Sequence, residues 1–372
     1  MSCDRLKILH VITSLRTGGA ERLVADMLPR MRERGHDVEL VVFDGTVTPL
    51  YRQLERQNIK IHPLACGAAQ MRNPMHIFRL KKYLDCDCFD IVHTHNTSCQ
   101  LLTALAAGKN APILVTTEHN TFNRRRNWRW YGPVDRWMYS RYDHVICVGE
   151  QTRRNLSERL AGCAELTEIS VVPNGIALEA VSEAKSDKSL RMPDETGRKV
   201  VIMVSAFRAQ KDQPTLIRAM QHLPDDYRLW LAGDGVARSS CEALAAEMNL
   251  SERVRFLGVR DDVPALMASA DVVVLSSHYE GMSLASIEGM AAGKPFIASD
   301  VEGLLEVAGG AALLFPHGDH RQLAELIRRV CEDESLRAEV VAGCRERAMR
   351  YDIGHTVDGY EKIYTNIVNR NK

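Results

Sequence analysis

Short runs of consecutive apolar and β-branched residues alternate along the whole chain with stretches whose apolar positions recur at helical spacing. In the first half, the runs at 7–11, 38–43, 91–93, 113–116 and 144–148 read as buried strands, with helical patterns such as 20–34 and 77–84 between them. The second half repeats this style at 200–204, 228–232, 254–256, 272–275 and 295–298. A strand that is apolar at nearly every position is covered on both faces, which is the habit of parallel sheets flanked by helices. The pattern therefore predicts an α/β protein assembled from βα units. A chain of 372 residues is too long for one ordinary core, so two domains are expected. Between them, 179–196 is charged and rich in small residues, with Pro193 near its end, and reads as an exposed linker. A last helical stretch at about 357–369 follows a break at Gly354 and is placed to cross back onto the first domain. The boundaries are accordingly set at 1–178, 179–354 and 355–372. No internal repeat of solenoid length is visible.

Composition narrows the classes. Lys+Arg and Asp+Glu both number 48, so the net charge is zero, which argues against nucleic-acid binding through bulk positive charge. The ten cysteines include no Cys-x-x-Cys pair, and several sit inside apolar runs, as Cys147 does. Free thiols in a reducing cytoplasm fit this better than a disulfide framework. Cys86-Asp87-Cys88 has no companion cluster of metal ligands, and no metal site is expected. The apolar start of the chain is too short for a signal peptide, and no apolar run reaches the ~20 residues needed to span a bilayer. A cytoplasmic protein is expected, with room for peripheral contact at the inner face of a membrane.

Two motifs carry chemistry. Ser14-Leu15-Arg16-Thr17-Gly18-Gly19-Ala20-Glu21 follows the first strand and opens a helix. Adjacent glycines let helix N-terminal amides approach an anion, although a plain βα turn would read the same. The G-x-G-x-x-G dinucleotide fingerprint is missing there, which speaks against an NAD enzyme. The stronger motif is Glu280-Gly281-Met282-Ser283-Leu284-Ala285-Ser286-Ile287-Glu288-Gly289-Met290-Ala291, after the strand at 272–275. Glu280 falls in the loop at the strand's C-terminal end, where open α/β sheets bind ligands. The helix should start near Ser283, with free amides at 283–285 facing an anion. Glu288 sits further along that helix among small and apolar residues, where a carboxylate needs hydroxyl donors such as a ribose diol.

Two glutamates separated by seven residues in this setting resemble the signature of glycosyltransferase family 4, of the GT-B fold. The resemblance extends over nearly the whole chain, through Gly18-Gly19-Ala20-Glu21, Thr117-Glu118-His119-Asn120, Val172-Pro173-Asn174-Gly175-Ile176, Ala232-Gly233-Asp234-Gly235 and Phe256-Leu257-Gly258 in order. It implies two Rossmann-like domains facing across a cleft: an N-terminal acceptor-binding domain and a C-terminal nucleotide-sugar-binding domain. It also implies a final helix packed back on the first. The implied activity is retaining, metal-independent transfer of a hexosyl or N-acetylhexosaminyl group from a nucleotide sugar. The donor would be a UDP-sugar ahead of a GDP-sugar, the acceptor a glycan or lipid-linked oligosaccharide in polysaccharide synthesis. No tightly bound cofactor is implied. The other readings weighed are a GT-B-fold sugar-nucleotide epimerase, a phosphorylase, and a non-catalytic nucleotide-sugar-binding protein.

Carried over position by position, the resemblance assigns Glu288 to the ribose hydroxyls. Glu280 with the backbone of Gly281, Met282 and Ser283 goes to the donor-sugar hydroxyls, and the amides from Leu284 onward to a diphosphate oxygen. Lys211 would neutralise the leaving diphosphate, Gly18 and Gly19 would close over the phosphates, and His119 would line the sugar pocket. Gly233 and Asp234 would wall the nucleotide site, and the backbone near Gly258 and Val259 would receive the base. One departure stands out. Ala206 occupies the position where many members carry arginine, and Arg208, three residues before Lys211, is its expected substitute. Cations and amides here would stabilise the charge on a departing phosphate without an Asp-x-Asp metal motif.

The segment 123–141 gathers three of the four tryptophans and six arginines. Arg124, Arg125, Arg126, Trp128 and Trp130 suit an anionic membrane surface or a lipid-diphosphate acceptor. The alternative is a helix whose Trp137 and Tyr139 face the core.

Overall fold

The computed structural model describes residues 5–16, 18–86, 88–119, 131–160 and 167–371. The chain divides into two units, Met1–Gly175 with Ile353–Lys372, and Ile176–Asp352. The boundaries at 178 and 354 read from sequence lie within three residues of these divisions.

The first unit is built on a seven-stranded parallel sheet. Its strands are β1 (Lys7–Ser14), β2 (Asp37–Asp44), β3 (Lys60–Ala65), β4 (Ile91–His95), β5 (Ile113–Glu118), β6 (His144–Cys147) and β7 (Glu168–Val171). Their spatial order is β3-β2-β1-β4-β5-β6-β7, so the order reverses between β1 and β4. The second unit has a six-stranded parallel sheet of β8 (Lys199–Val204), β9 (Tyr227–Ala232), β10 (Val254–Gly258), β11 (Val272–Leu275), β12 (Phe296–Ser299) and β13 (Leu313–Phe315). Its order, β10-β9-β8-β11-β12-β13, reverses between β8 and β11. The central strands are buried at almost every position, as the uninterrupted apolar runs require.

Three strands have no counterpart in the sequence pattern: β3, β7 and β13. All are sheet edges. Half-exposed positions break the apolar run in β3 and β7, β13 has only three residues, and β3 carries Pro63. Proline is tolerated at an edge because its missing N–H faces no ladder partner.

The segment 179–196 is exposed over most of its length, as its charges indicate, but it belongs to the second unit and is anchored there. It opens with the helix Leu178–Ser182 and folds onto the second unit. The Glu195 carboxylate is buried, accepts from Trp230 Nε1 at 2.8 Å and pairs with Arg255 at 2.8 Å. A charged segment reads as solvated when its buried partners lie on distant strands.

The C-terminal helix runs Ile353–Asn371, longer than its apolar pattern showed, and Gly354 lies inside its first turn rather than before it. A first-turn N–H has no intrahelical acceptor in any case, so glycine there ends nothing. The helix covers the first unit. Tyr360 and Tyr364 are fully buried, Arg34 pairs with Asp358 at 2.5 Å and Glu361 at 2.8 Å, and Thr356 Oγ1 donates to Pro173 O at 2.9 Å. The described cysteines are free thiols, with Cys99, Cys147, Cys241 and Cys344 buried but Cys66, Cys86 and Cys88 exposed. Among the described residues no helix is long and apolar enough to cross a membrane.

Candidate active site

Open parallel sheets leave a crevice outside the strand ends where strand order reverses, because the flanking loops there diverge to opposite faces. In the second unit this point lies between β8 and β11, and the loops following those strands carry Lys211 and Glu280. The two side chains meet. Lys211 Nζ lies 2.5 Å from Glu280 Oε1, the same oxygen accepts from Ser277 Oγ at 2.5 Å, and both side chains are largely enclosed. Gln210 links the loops: its Nε2 donates to Tyr279 O at 2.9 Å, and its carbonyl accepts from His278 N at 2.8 Å. Lys211 carries three N–H donors, so the contact with Glu280 leaves two for a ligand. Gln210 Nε2 reaches Glu280 Oε2 only at 3.4 Å, which leaves that oxygen able to accept from a hydroxyl.

The helix after Glu280 runs Leu284–Ala291, with Ser283 at its N-cap as the motif indicated. The Ser283 side chain makes no capping bond, so the helix start depends on other acceptors for its leading N–H groups. Glu288 is half-buried, flanked by fully enclosed Ile287 and Met290. Gly303, from the helix Glu302–Ala308, lies so close to the Glu280 loop that a Cβ there would sit 2.3 Å from Glu280 O and 2.4 Å from Gly281 O. Both are backbone atoms, so the loop itself would have to move. Gly303→Ala is expected to lower Tm, with a cost of about 1–3 kcal/mol, and to weaken nucleotide binding; calorimetry and ligand titration read both.

The loops after β8, β9 and β10 are knitted together. Gly233 N donates to Gly258 O at 2.7 Å and Phe207 N to Asp234 O at 2.9 Å. Gly233 has φ +135°, and a Cβ would fall 2.0 Å from Ser205 O, so no other residue fits that crossing. Asp234 accepts from Gly235 N at 2.7 Å, and Val259 is exposed. Arg208 is exposed, with no side-chain hydrogen bond or ion pair among the described residues, and Ala206 beside it is exposed too.

The first unit has its reversal between β1 and β4. Gly18 caps the helix Gly19–Glu33 after β1, in extended backbone, and a Cβ on it would meet Glu21 Oε2 at 2.1 Å. Nothing lies within 4 Å of the corresponding point at Gly19. Asn96, after β4, takes a left-handed φ of +71° and donates to Thr13 Oγ1 at 3.1 Å and Glu21 Oε1 at 3.2 Å. His119 follows β5, half-buried, with Nε2 3.1 Å from His95 Nδ1. His95 Nε2 continues to His10 Nδ1 at 3.0 Å. Of these, only His119 was singled out from sequence; His10, His93 and His95 were not. The signal was present: His93-Thr94-His95 places polar residues at consecutive positions of a wholly buried strand.

Burial pushes the His10 imidazole down to about 3 and that of His119 to about 4, and holds His93 and His95 well below the ordinary range. Each unit of depression corresponds to ~1.4 kcal/mol. Below pH 6.5 the unfolded chain binds protons that these folded groups refuse. Their contribution is therefore complete above pH 6.5 and is lost as pH falls towards 3. Tm is expected to drop steadily from pH 6.5 to 5, and less steeply in His10→Phe; pH-dependent calorimetry measures this.

Arg124, Arg125, Arg126, Trp128 and Trp130 lie outside the described residues. Beyond them, in the helix Gly132–Tyr139, Tyr139 is buried with its hydroxyl on Glu118 at 2.5 Å, whereas Trp137 is exposed rather than facing the core.

Two reversal points, each lined by glycine loops and ligand-type side chains on a parallel sheet, define a two-domain GT-B glycosyltransferase fold. The chain belongs to glycosyltransferase family 4: residues 17–180 match the model "Glycosyltransferase Family 4" and 186–347 match "Glycosyl transferases group 1". It is 33% identical to the lipopolysaccharide core biosynthesis glycosyltransferase LpsE of Rhizobium meliloti, over 87% of this chain and 88% of the relative. It is 24% identical to the Escherichia coli UDP-Gal:alpha-D-GlcNAc-diphosphoundecaprenol alpha-1,3-galactosyltransferase, over 98% of each. Among solved structures, Anabaena HepE in complex with UDP and glucose superposes with a TM-score of 0.82 at 22% identity, covering 96% of this chain and 99% of that one. The chain is a glycosyltransferase.

Proposed function

We propose that this glycosyltransferase takes a hexosyl or N-acetylhexosaminyl group from a UDP-sugar and passes it, with retention at the anomeric carbon, to a glycan or lipid-linked acceptor. The observation that carries the reading is the Lys211–Glu280–Ser277 cluster at the second unit's strand reversal. A cation and an oriented carboxylate side by side match a substrate whose diphosphate departs while its sugar hydroxyls are held. Glu280 and the 281–283 backbone bind the sugar. Glu288 binds the ribose, and Lys211, Arg208 and the amides from Leu284 stabilise the leaving phosphate. The loops at Gly233, Asp234, Gly258 and Val259 receive the nucleoside. The first unit supplies acceptor binding, with Gly18, Gly19 and His119 engaging the donor's phosphates and sugar. UDP as the nucleotide is supported by the names of the Escherichia coli relative and the Anabaena complex.

The test joins binding and product analysis. UDP is expected to raise Tm more than GDP or ADP does, since a ligand that binds only the folded state stabilises it. With UDP-sugars and a lipid-linked glycan, NMR of the product is expected to show free UDP and a glycoside of unchanged anomeric configuration. An inverted product would sink retention. A changed sugar still attached to UDP would indicate an epimerase instead.

A further inference from the structure

In the first unit, four imidazoles contributed by β1, β4 and the residue following β5 lie in contact with one another, and one of them, His93, packs against the C-terminal helix. His10 and His93 are register partners on neighbouring strands, and His95 lies two residues beyond His93 on the same face. The rings of His10, His93 and His95 stack nearly parallel, with centroids 4.5–5.3 Å apart and interplanar angles of 6–18°. His93 is fixed on both sides: Nδ1 meets the Tyr364 hydroxyl, and Nε2 lies 2.8 Å from Thr117 Oγ1, which in turn meets the Tyr360 hydroxyl at 2.9 Å.

Ligand-type atoms of His10, His93 and His95 lie within 4.8 Å of one another, yet the arrangement is wrong for a cation. A cation takes the in-plane lone pair of each imidazole it binds. Both His93 nitrogens already have partners, and His10 Nδ1 and His95 Nε2 face each other in a hydrogen bond of 3.0 Å, so the three rings offer no common set of free lone pairs.

The chain His10–His95–His119 has a different consequence. Each ring is neutral and carries one N–H, and two hydrogen bonds join the three rings. Only two proton arrangements satisfy both bonds. In one, every proton sits on Nδ1: His10 donates to His95, His95 donates to His119, and His119 is left with a free Nδ1–H. In the other, every proton sits on Nε2, the direction reverses, and His10 is left with a buried N–H. His10 Nε2 is buried with no hydrogen-bond partner. An orphaned buried donor is the rarer solution in proteins, so the first arrangement is favoured. His119 Nδ1 has no partner among the described residues and is the end of the chain.

We infer that His10 and His95 are positioning residues that lock His119 as the Nδ1–H tautomer, so that it presents a hydrogen-bond donor to an oxygen of the bound donor substrate. A lone pair at that nitrogen would repel phosphate and ring oxygens. The inference rests on the reading of His119 as a ligand-facing residue, but its first test does not.

The full-length chain, labelled with 15N at histidine, is examined without ligand by long-range 1H–15N NMR, which distinguishes protonated from bare ring nitrogens. His119 is assigned by loss of its signals in His119→Gln. Protons on Nδ1 of His10, His95 and His119 are the expected result. An Nε2 proton on His119, or averaging between tautomers, overturns the inference. In His10→Phe, which keeps the stacked ring but removes the donor, the His119 signals are expected to average. The kcat for transfer should fall about tenfold, with donor KM moving less than about threefold. His10→Gln, whose amide can donate to His95, is expected to recover most of the rate. A fixed His119 tautomer in His10→Phe would overturn the inference. An intact Nδ1 pattern in a chain that transfers no sugar would support the relay and sink the donor assignment instead.

Discussion

Lys211→Ala is expected to reduce kcat for sugar transfer by about 10²- to 10³-fold, the range seen when one preorganised stabiliser of developing charge is removed. The reason is positional. Lys211 ends a short turn after β8, its ammonium held at 2.5 Å by Glu280, which is held in turn by Ser277. On the proposed reading, the charge would therefore be fixed before a leaving phosphate develops its own. The same contact complicates the experiment, because removing the lysine leaves Glu280, only 9% exposed, without its cation. An uncompensated buried carboxylate is destabilising in itself. The double variant Lys211→Ala/Glu280→Gln, compared with Glu280→Gln alone, separates the two effects: Tm should recover towards wild type, whereas kcat should stay well below that of the single Glu280→Gln variant. A double variant that matches the Glu280→Gln rate while regaining Tm, or a Lys211→Ala enzyme within about threefold of wild type, would remove Lys211 from the chemistry.

Both halves of that argument were partly legible in the sequence. Glu280 was identifiable because it sits in the loop past a wholly apolar strand, a place recognisable from local pattern, whereas Lys211 was assigned through the resemblance to glycosyltransferase family 4. Their mutual contact was not legible, since it depends on β8 and β11 being neighbours, and strand order is a property of the whole sheet. Gln210 and Ser277 were missed for the same reason: each is an ordinary loop residue until the opposite loop is beside it. The histidine relay went unread although His93-Thr94-His95 interrupts an apolar strand, because its meaning comes from His10, more than eighty residues earlier. Edge strands failed differently. β3 and β7 are interrupted by polar, half-exposed positions, and β13 is only three residues long, so no continuous apolar run of strand length marks them. The segment at 179–196 is mostly exposed, as its charges suggested, and one residue departs from that: Glu195 lies inside the second unit because Trp230 and Arg255 satisfy it there. Local pattern reports burial against apolar neighbours and stays silent where burial is achieved by polar pairing.

Glu288→Ala is expected to weaken UDP binding by about 10- to 100-fold, the equivalent of losing one charge-assisted hydrogen bond of ~1.5–3 kcal/mol. The helix Leu284–Ala291 is pinned to the sheet at Gly289, where a Cβ would meet the Phe296 ring at 2.7 Å. Ile287 and Met290 are fully enclosed, so the half-buried Glu288 lies on the helix's open side. On the proposed reading, a rigidly mounted carboxylate there would recognise paired hydroxyls at little entropic cost. The kcat at saturating donor should change little, because the ribose is held alike before and during reaction. Stability alone could mimic a binding defect, so the decisive measurement is a cycle with 2′-deoxy-UDP and 3′-deoxy-UDP. Against wild type, removal of a hydroxyl that Glu288 holds should cost affinity. Against Glu288→Ala, the same removal should cost almost nothing, because its partner is already gone. Equal penalties in both proteins would place Glu288 away from the ribose and return it to a structural role in its helix.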